Sequence, residues 1–587
     1  GVGDTHFMRI KSVSPVIPIG IILTVLCLGL YVKHPFFVQA ISNYTYDTFI
    51  RALAQDQKSD TVAIVDLDDP SLLALGQWPW PRFRVAELTT RILDAGASVV
   101  AFDVVFPERD RTSPAQLQAD VNQQFGINMR FTDLPENLQN FDLLLAAALE
   151  RGKTILGCCM RPLLPVPDDL ASIPLLDPPG YEDNVLLKAL PGTTNKIGRF
   201  LIQADGITIS IPDLSRAARI AFFNAVPDFD SVIRSNPIIW GNGPDRVFLS
   251  LALQALRLHT GKPCIVRYDM DGVAEIRLGD LLIPTDEMGR VVVNYRQVRS
   301  DVEAGFSYSL PTYSAMDVLR GRVGKDVFKN KIVFIGASAV GLKDIRATPL
   351  TQYFSGVEVH ATIVDNVLAG DVLKKPPFAP AVEALVILLM GLFMTVLMAR
   401  GRSWLSFLVA LMAILAAIQV CIFLMNHMKL VFVPGWVILS IVIIYPVLTM
   451  IKFWQEEIQK KQVRNMFGTM VSSTVLHYLE NHPGSVSLSG QKAEATMFFS
   501  DVAGFTTISE NLEPGKLSEL LNRYLSPMTE IILQRGGYVD KYEGDLIMAE
   551  WGVPYAMNDH AIQACHAALE QQAKLAEIRP QLLAEFG

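Results

Sequence analysis

Asp501, in Phe498-Phe499-Ser500-Asp501-Val502-Ala503-Gly504-Phe505-Thr506, and Asp545, in Lys541-Tyr542-Glu543-Gly544-Asp545, are the residues of this 587-residue chain best suited to chemistry. Each stands where an apolar strand gives way to glycine. Two carboxylates can therefore converge on a pair of cations while glycine leaves room for a phosphate. Such an arrangement serves nucleotide chemistry. Taken singly, each aspartate has an ordinary explanation, because strand-end aspartates often cap helices or turns. Glycines on both loops, with Lys541 four positions before Asp545, favour the cation site.

The elements that must position these residues are legible nearby. Ala495 to Ser500 is an apolar strand ending at Asp501, and Thr507-Ile508-Ser509-Glu510 fits a capping box opening a helix. Between them, the backbone N–H groups of Val502, Ala503, Gly504, Phe505 and Thr506 are expected to bind a polyphosphate at the positive end of that helix. Leu517 to Gln534 reads as a second helix, closed by Arg535-Gly536-Gly537. Gly537 to Gly552 has the pattern of a hairpin turning at Glu543-Gly544, which puts Asp545 at the start of a strand, level with Asp501.

These paired motifs resemble the class III nucleotidyl cyclase domain over residues 490–587. The resemblance implies an α+β ferredoxin-like (palm) fold in which Asp501 and Asp545 are catalytic and bind two divalent cations, Mg2+ or Mn2+, with the Val502 carbonyl completing one shell. It implies ATP as substrate, in-line attack of the ribose 3'-hydroxyl on the α-phosphorus, and release of pyrophosphate with cyclic AMP. Lys541 occupies the base-selecting position, where an ammonium can address adenine N1; guanylate cyclases place glutamate there. The family's active site is shared between two chains, so a homodimer is expected. One departure stands out: family members carry an asparagine and an arginine four residues apart on a later helix. After Asp545 this sequence has one asparagine, Asn558, and one arginine, Arg579, 21 positions apart, and no second base-selecting residue. With Gly587 inside a helical pattern, the expectation is an incomplete domain that keeps its metal-binding half and turns over weakly or not at all, within a parent protein that is an enzyme.

Four apolar segments place this chemistry at a membrane. Residues 12–32 form a run of 21 without a charge, about the length of a spanning helix, and 379–399, 403–426 and 430–451 follow the same rule. Glu383 lies near the start of the second span, and the last two spans are separated so briefly that a tight antiparallel hairpin is expected. Arg9 and Lys11, then Arg400 and Arg402, then Lys452, Lys460, Lys461 and Arg464 put residues 1–11 and everything after 452 in the cytoplasm, and 34–378 outside the cell (inner or plasma) membrane. A cleaved signal peptide is the competing reading of the first span; its length and the lack of a clean small-x-small site favour an anchor. Gly1 to His6 are set aside from fold reasoning.

The net charge of −8 and six cysteines add little. Cys158, Cys159 and Cys264 are an odd set outside and read as buried thiols. No metal-ligand spacing of cysteine or histidine occurs, and no basic patch interleaved with aromatics, so nucleic acid is not an expected partner. The outside segment is patterned as α/β: Thr61 to Asp66 and Ala97 to Phe102 are strands with an amphipathic helix, Val85 to Leu93, between them, and a parallel crossover is expected. Lys331 to Gly336 is a further strand and Val357 to Leu368 a further helix, while 107–140 and 161–215 read as long loops. Gly336 to Lys343 lacks the Lys-Ser/Thr of a phosphate loop and reads as a glycine turn. Asp66, Asp68, Asp69 and Asp103 stand at strand ends, where α/β sheets bind ligands; caps and solvated loop ends compete as explanations.

Asp66, Leu73, the Trp78-Pro79-Trp80-Pro81-Arg82 run, Ala86-Glu87-Leu88, Ala95-Gly96-Ala97, Val99 to Phe106, Ile335-Gly336-Ala337-Ser338 and Gly356 to Ala361 resemble the second-type CHASE sensor domain. That resemblance implies a sensor of an unidentified extracytoplasmic ligand, with Asp66 and Asp103 as its candidate contacts. Residues 452–489 then form a connector. Ile451, Trp454 and Ile458 sit at heptad positions, polar Lys461 and Asn465 interrupt the seam, and Val463, Phe467 and Met470 restart it in a second phase. A paired signalling helix with a phase change is the favoured reading, over an ordinary amphipathic helix. A non-catalytic receptor whose cyclase segment serves as a dimerisation or scaffold module, and a guanylate cyclase, are the alternatives. A diguanylate cyclase would need a Gly-Gly-(Asp/Glu)-Glu-Phe turn, which is lacking, and a transporter would need more spans with charges inside them.

Overall fold

The computed structural model describes residues 14–586 apart from 56–58, 168, 302–305, 340–341, 343–344, 469–491 and 554–555. It divides into two compact units, Gly1–Leu448 and Thr449–Gly587.

The first unit is built on a sheet whose strands run in the order Thr312–Ser314, Val62–Asp66, Ile332–Gly336, Val99–Phe102, Thr154–Pro162, Ala204–Thr208, with Arg219–Phe222 also paired to Thr154–Pro162. All pairs are parallel except that of Ala204–Thr208. The strands are continuous apolar runs because both faces are buried. Val62, Ile64, Val99, Ala101, Ile332 and Phe334 enter one core. Ala63, Val65, Val100, Phe102, Val333 and Ile335 enter the other. Helices Leu251–Thr260 and Gly356–Ala369 cover the first face, and Arg82–Asp94 and Phe141–Glu150 the second. The crossover from Val62–Asp66 to Val99–Phe102 leaves one place between them, filled late in the sequence by Ile332–Gly336.

Three expectations change here, and a fourth is described only in part. Residues 107–140 contain a helix, Pro114–Phe125, and 161–215 contain strands Val185–Ala189 and Ala204–Thr208 and helix Pro212–Ala217. Proline opens both helices at a first-turn position, where its missing N–H costs nothing, so proline content misled. Second, an 18-residue helix, Phe36–Leu53, begins directly after Pro35 and buries Val38, Tyr46 and Ile50. Arg234 fixes it to the sheet unit by holding Asp47 at 2.7 Å, with Asp228 and Asp230 on the same guanidinium. Third, the last span starts at Gly435, not residue 430. Lys374 N–H donates to the Lys429 carbonyl and Val431 N–H to the Lys374 carbonyl, so the stretch after Met428 pairs with the end of the sheet unit and does not form a tight turn. Fourth, the next strand described after the glycine segment is short, Ile345–Arg346; Val340, Gly341, Lys343 and Asp344, where the notional turn would continue, lie outside the described residues.

Four helices are long and apolar enough to cross a membrane: Val16–Lys33, Ala379–Arg400, Ser403–Met428 and Gly435–Arg464. The first two pack closely because each presents a glycine to the other's threonine. A Cβ on Gly20 would lie 2.3 Å from Thr395 Oγ1, and one on Gly391 2.5 Å from Thr24 Oγ1. Each hydroxyl is satisfied within its own helix, Thr24 by Gly20 O at 2.8 Å and Thr395 by Gly391 O at 2.7 Å. Small residues four apart let helix backbones approach where no hydrophobic force drives them together. At the far end of this pair Tyr31 donates to Glu383 at 2.9 Å, and Glu383 also accepts from Val433 N–H.

The second unit carries a three-stranded antiparallel sheet, ordered Thr496–Ser500, Leu546–Trp551, Tyr538–Glu543, with helices Pro514–Gln534 and His560–Phe586. Met528, Ile532, Ile547, Ala549, Trp551 and Ala567 form its core. On the other face of the sheet Met497 and Phe499 are 54% and 59% exposed. The connector is helical as far as Gly468, a span that includes Val463 and Phe467 of the second phase; Met470 lies outside the described residues.

Candidate active site

Antiparallel pairing brings the two aspartates together. Ser500 sits opposite Ile547, so Asp501, one residue beyond its strand, meets the turn before Leu546 that holds Asp545. Asp545 accepts from the Val502 N–H at 3.0 Å, which locks the loop after the first strand onto the hairpin. The Asp501 and Asp545 carboxyls lie within hydrogen-bonding reach, and Asp545, ahead of desolvation, raises the Asp501 pKa. Two carboxyls held this close repel when both ionise, and a divalent cation between them would relieve that repulsion. The donor set, two carboxylates and a backbone carbonyl, is all oxygen and suits Mg2+ or Mn2+. Among the described residues no group of three His, Cys, Asp or Glu side chains could hold a metal. An ion here would complete its shell with water and substrate phosphate, as Mg2+ commonly does.

Local geometry departs from the sequence in two places. The helix after Asp501 spans Phe505–Asn511, with Gly504 at its N-cap and no side-chain cap. Thr507 and Glu510 are thus inside it and form no capping box: Gly504, at φ +74°, turns the chain into the helix early. The hairpin turns at Gly544-Asp545 instead of Glu543-Gly544, with Gly544 at φ +68°. Asp545 is therefore a turn residue, which is why it reaches across to Val502. Of the five N–H groups expected to bind phosphate, Val502 donates to Asp545 and Phe505 to the Val502 carbonyl.

Lys541 is placed by a bulge. Val539 pairs with Ala549 and Lys541 with Met548, leaving Asp540 as the extra residue. Met548 in turn pairs with Phe499, so Lys541 shares the open face with that exposed ring. Its ammonium holds Glu543 at 2.9 Å, which raises its pKa, and it does not meet the aspartate pair.

In the first unit the two candidate aspartates part company. Asp66 is buried and accepts from Ser338 N–H at 2.8 Å, the Ser338 hydroxyl and Tyr308. Burial pushes its pKa up to about 6. Asp68 caps helix Asp69–Leu75 by accepting from Ser71 N–H. Asp103, by contrast, lines a cavity of about 250 Å³ outside the carboxyl ends of the sheet's strands. Sequence reasoning passed over Glu358, buried in the helix face, accepting from Ser309 N–H and hydroxyl at 2.5 Å and raised to about 7, chiefly by burial. It also passed over Arg346 on the cavity wall.

Comparison with known proteins adds two domain matches. The family model for the CHASE2 domain matches residues 21–398, and that for the adenylate and guanylate cyclase catalytic domain matches residues 488–583. "Adenylate cyclase 1" of Rhizobium meliloti (strain 1021) is 33% identical over 84 residues, covering 14% of this chain and 13% of the relative. The adenylate cyclase of Anabaena cylindrica is 35% identical over 92 residues, 16% of this chain and 17% of the relative. Among solved structures, the adenylyl cyclase CyaB from P. aeruginosa is 37% identical over 16% of this chain and 50% of that chain, at a TM-score of 0.16. The guanylyl cyclase Cya2 is 31% identical over 16% and 49%, at 0.15. The chain thus spans less than a fifth of these two curated relatives and about half of these two solved chains.

Proposed function

Because the chain belongs to the CHASE2 family and carries a class III adenylate and guanylate cyclase catalytic domain, we propose that it is the sensor and part of the catalytic machinery of a membrane-bound adenylate cyclase. The sensor domain lies outside the membrane and the cyclase domain in the cytoplasm, an orientation supported by the Lys and Arg residues flanking the spans. The observation that carries the catalytic reading is the Asp501–Asp545 pair, held together by the Val502 N–H.

Asp501, Asp545 and the Val502 carbonyl would hold two Mg2+ or Mn2+ ions, which supply charge neutralisation and acidify a bound hydroxyl. The chain's own residues do the rest. The two carboxylates fix the point where triphosphate and ribose meet. The N–H groups of Ala503, Gly504 and Thr506 face the phosphates, joined by those of Val502 and Phe505 if ligand binding frees them. Lys541, released from Glu543, donates to adenine N1, which favours ATP over GTP. The active site is completed by a second copy; exposed Met497 and Phe499 beside Lys541 support a paired face.

The test is Mn2+-dependent ATP binding by the detergent-solubilised protein, with cyclic AMP formation assayed alongside. Asp501→Ala should abolish both, and Lys541→Glu should shift binding from ATP toward GTP. ATP binding that ignores Mn2+ and Asp501 would sink the two-metal reading. A second reading is a receptor whose cyclase segment is a non-catalytic dimerisation module; it is favoured by Lys541, which holds Glu543 at 2.9 Å and not the aspartate pair. It is supported if folded protein forms neither cyclic AMP from ATP nor cyclic GMP from GTP with Mn2+ present.

A further inference from the structure

A second cavity, of about 310 Å³, lies where the sheet part of the first unit meets the ends of its spans. Its wall takes Ser42 and Tyr46 from helix Phe36–Leu53, Lys374 and Lys375 from the stretch before Ala379–Arg400, and Val431 and Val433 from the stretch before Gly435. Ser42 sits against the first residue of the last span: a Cβ on Gly435 would lie 3.6 Å from the Ser42 Cα. The cavity therefore stands at the depth where spanning helices leave the hydrocarbon and lipid headgroups lie. The wall segments 39–46, 228–235, 284–292, 373–375 and 431–433 all lie among the described residues.

Four donors on this wall have no partner among the described residues. Tyr46 is 6% exposed and its hydroxyl is orphaned, as is the buried Thr285 hydroxyl. Lys374 and Lys375 are exposed, and their ammoniums form no ion pair there. Burying a hydroxyl without a partner costs free energy, so two on one wall mark a place where a polar group belongs. The charges divide by end. Val292 meets Leu373 in antiparallel sense, which carries Lys375 toward Arg290, and Arg290 holds Asp286 at 2.7 Å. This end sets three cations, Lys374, Lys375 and Arg290, against one carboxylate. At the other end one guanidinium, Arg234, is shared by Asp47, Asp228 and Asp230.

We propose that this cavity binds the phosphodiester of a membrane phospholipid, its anionic oxygens on Lys374, Lys375 and the Thr285 hydroxyl, with the Tyr46 hydroxyl meeting the headgroup beyond the phosphate. Anionic phosphate oxygens only accept, which suits ammonium and hydroxyl donors. Basic pockets beside membrane spans hold lipid headgroups in this way. The acidic end repels a second anion, so the remainder of the headgroup is neutral or cationic. A cavity of this size takes the headgroup and leaves the acyl chains outside, along the spans. The proposal rests on the reading of the four apolar helices as membrane spans.

Native mass spectrometry and melting curves of the full chain in a non-ionic detergent test it. The probes are dioctanoyl phosphatidylglycerol and dioctanoyl phosphatidylethanolamine, against dioctanoylglycerol, which lacks the phosphate, and inorganic phosphate. At least one phospholipid should bind saturably and raise the melting temperature, and dioctanoylglycerol should bind at least tenfold more weakly. Lys374→Gln combined with Lys375→Gln should weaken the phospholipid at least tenfold, and Thr285→Val and Tyr46→Phe at least threefold each. The last two nearly keep the side-chain shape and remove an orphaned hydroxyl, so without lipid they should melt no lower than the parent. No saturable phospholipid binding by folded protein, equal binding of dioctanoylglycerol, or affinities that all these variants leave within twofold, overturns the proposal. Inorganic phosphate bound as tightly as the phospholipid overturns the membrane as its source. Release of the chain from membranes by alkaline carbonate overturns the spans instead.

Discussion

Glu358 holds a proton at a pH where an exposed glutamate would have lost it. Burial first, then the charge of Asp66, lift its pKa from 4.5 to about 7, against the opposing hydrogen bonds from Ser309. The folded chain therefore binds more protons than the unfolded one between those two values. Stability from this group is fully present below about pH 4.5 and is lost as pH rises through about 7. Asp66, at about 6, acts in the same direction. Glu358→Gln keeps an acceptor for Ser309 and removes the ionisation. It should raise the melting temperature at pH 8 by a few degrees, of the order expected for about 1 kcal/mol in a domain this size, and flatten its dependence between pH 5 and 8. Parallel pH slopes for the variant and the parent would refute the assignment. Glu358 stands in the Gly356 to Ala361 stretch that carries the family resemblance, but its burial was not legible there: a glutamate in a helix reads as solvated, and tertiary packing is what encloses it. Asp501 and Asp545 were legible because strand-end carboxylates beside glycine announce themselves locally. The capping box was misread for a matching reason: Thr507 and Glu510 have the right spacing, but Gly504 at φ +74° starts the helix before them. The raised Asp501 pKa leads to a second expectation. Mn2+ at about a hundred times its dissociation constant should stabilise the catalytic unit by about 2.7 kcal/mol, read as a shifted melting transition, and Asp501→Asn should remove the shift.

At the scale of elements, the central strands were readable because burial on both faces demands unbroken apolar runs, and Val62–Asp66, Val99–Phe102 and Ile332–Gly336 obey. Helix Phe36–Leu53 was not: its mixed composition hides between a membrane span and a domain, and its place is fixed by Arg234, far along the sequence. Strands Val185–Ala189 and Ala204–Thr208 were also missed, since five-residue strands flanked by proline and aspartate depend on their partners for definition. The glycine–threonine packing of Val16–Lys33 against Ala379–Arg400 permits a sharp test. Gly391→Ala forces a methyl against Thr24 and should cost about 1–3 kcal/mol by overpacking. Thr24→Ala removes the obstructing hydroxyl and methyl, so the double variant should recover at least half of the lost melting temperature in detergent. Additive losses would show that the two residues do not meet.

For the molecule as a whole, the proposed homodimer predicts that the connector pairs along its first heptad phase. Trp454→Cys and Ile458→Cys, both more than half exposed in the single chain, should each give disulfide-linked dimers in membranes under mild oxidation. Position 461, where the seam lapses, should give fewer, and equal yields at all three would argue for random collision. The interlocked first and second spans carry a different consequence. The whole sheet unit enters and leaves through one antiparallel helix pair, clasped near one end by Gly20 and Thr395 and at the other by Tyr31 and Glu383. Topologically it is an insertion in a helical hairpin, a cassette whose two ends meet at a single doorway. Another domain with adjacent termini could be grafted at that doorway provided it kept Lys374 as the partner of Lys429 and Val431, so what such a protein detects can be exchanged while its membrane anchor stays the same.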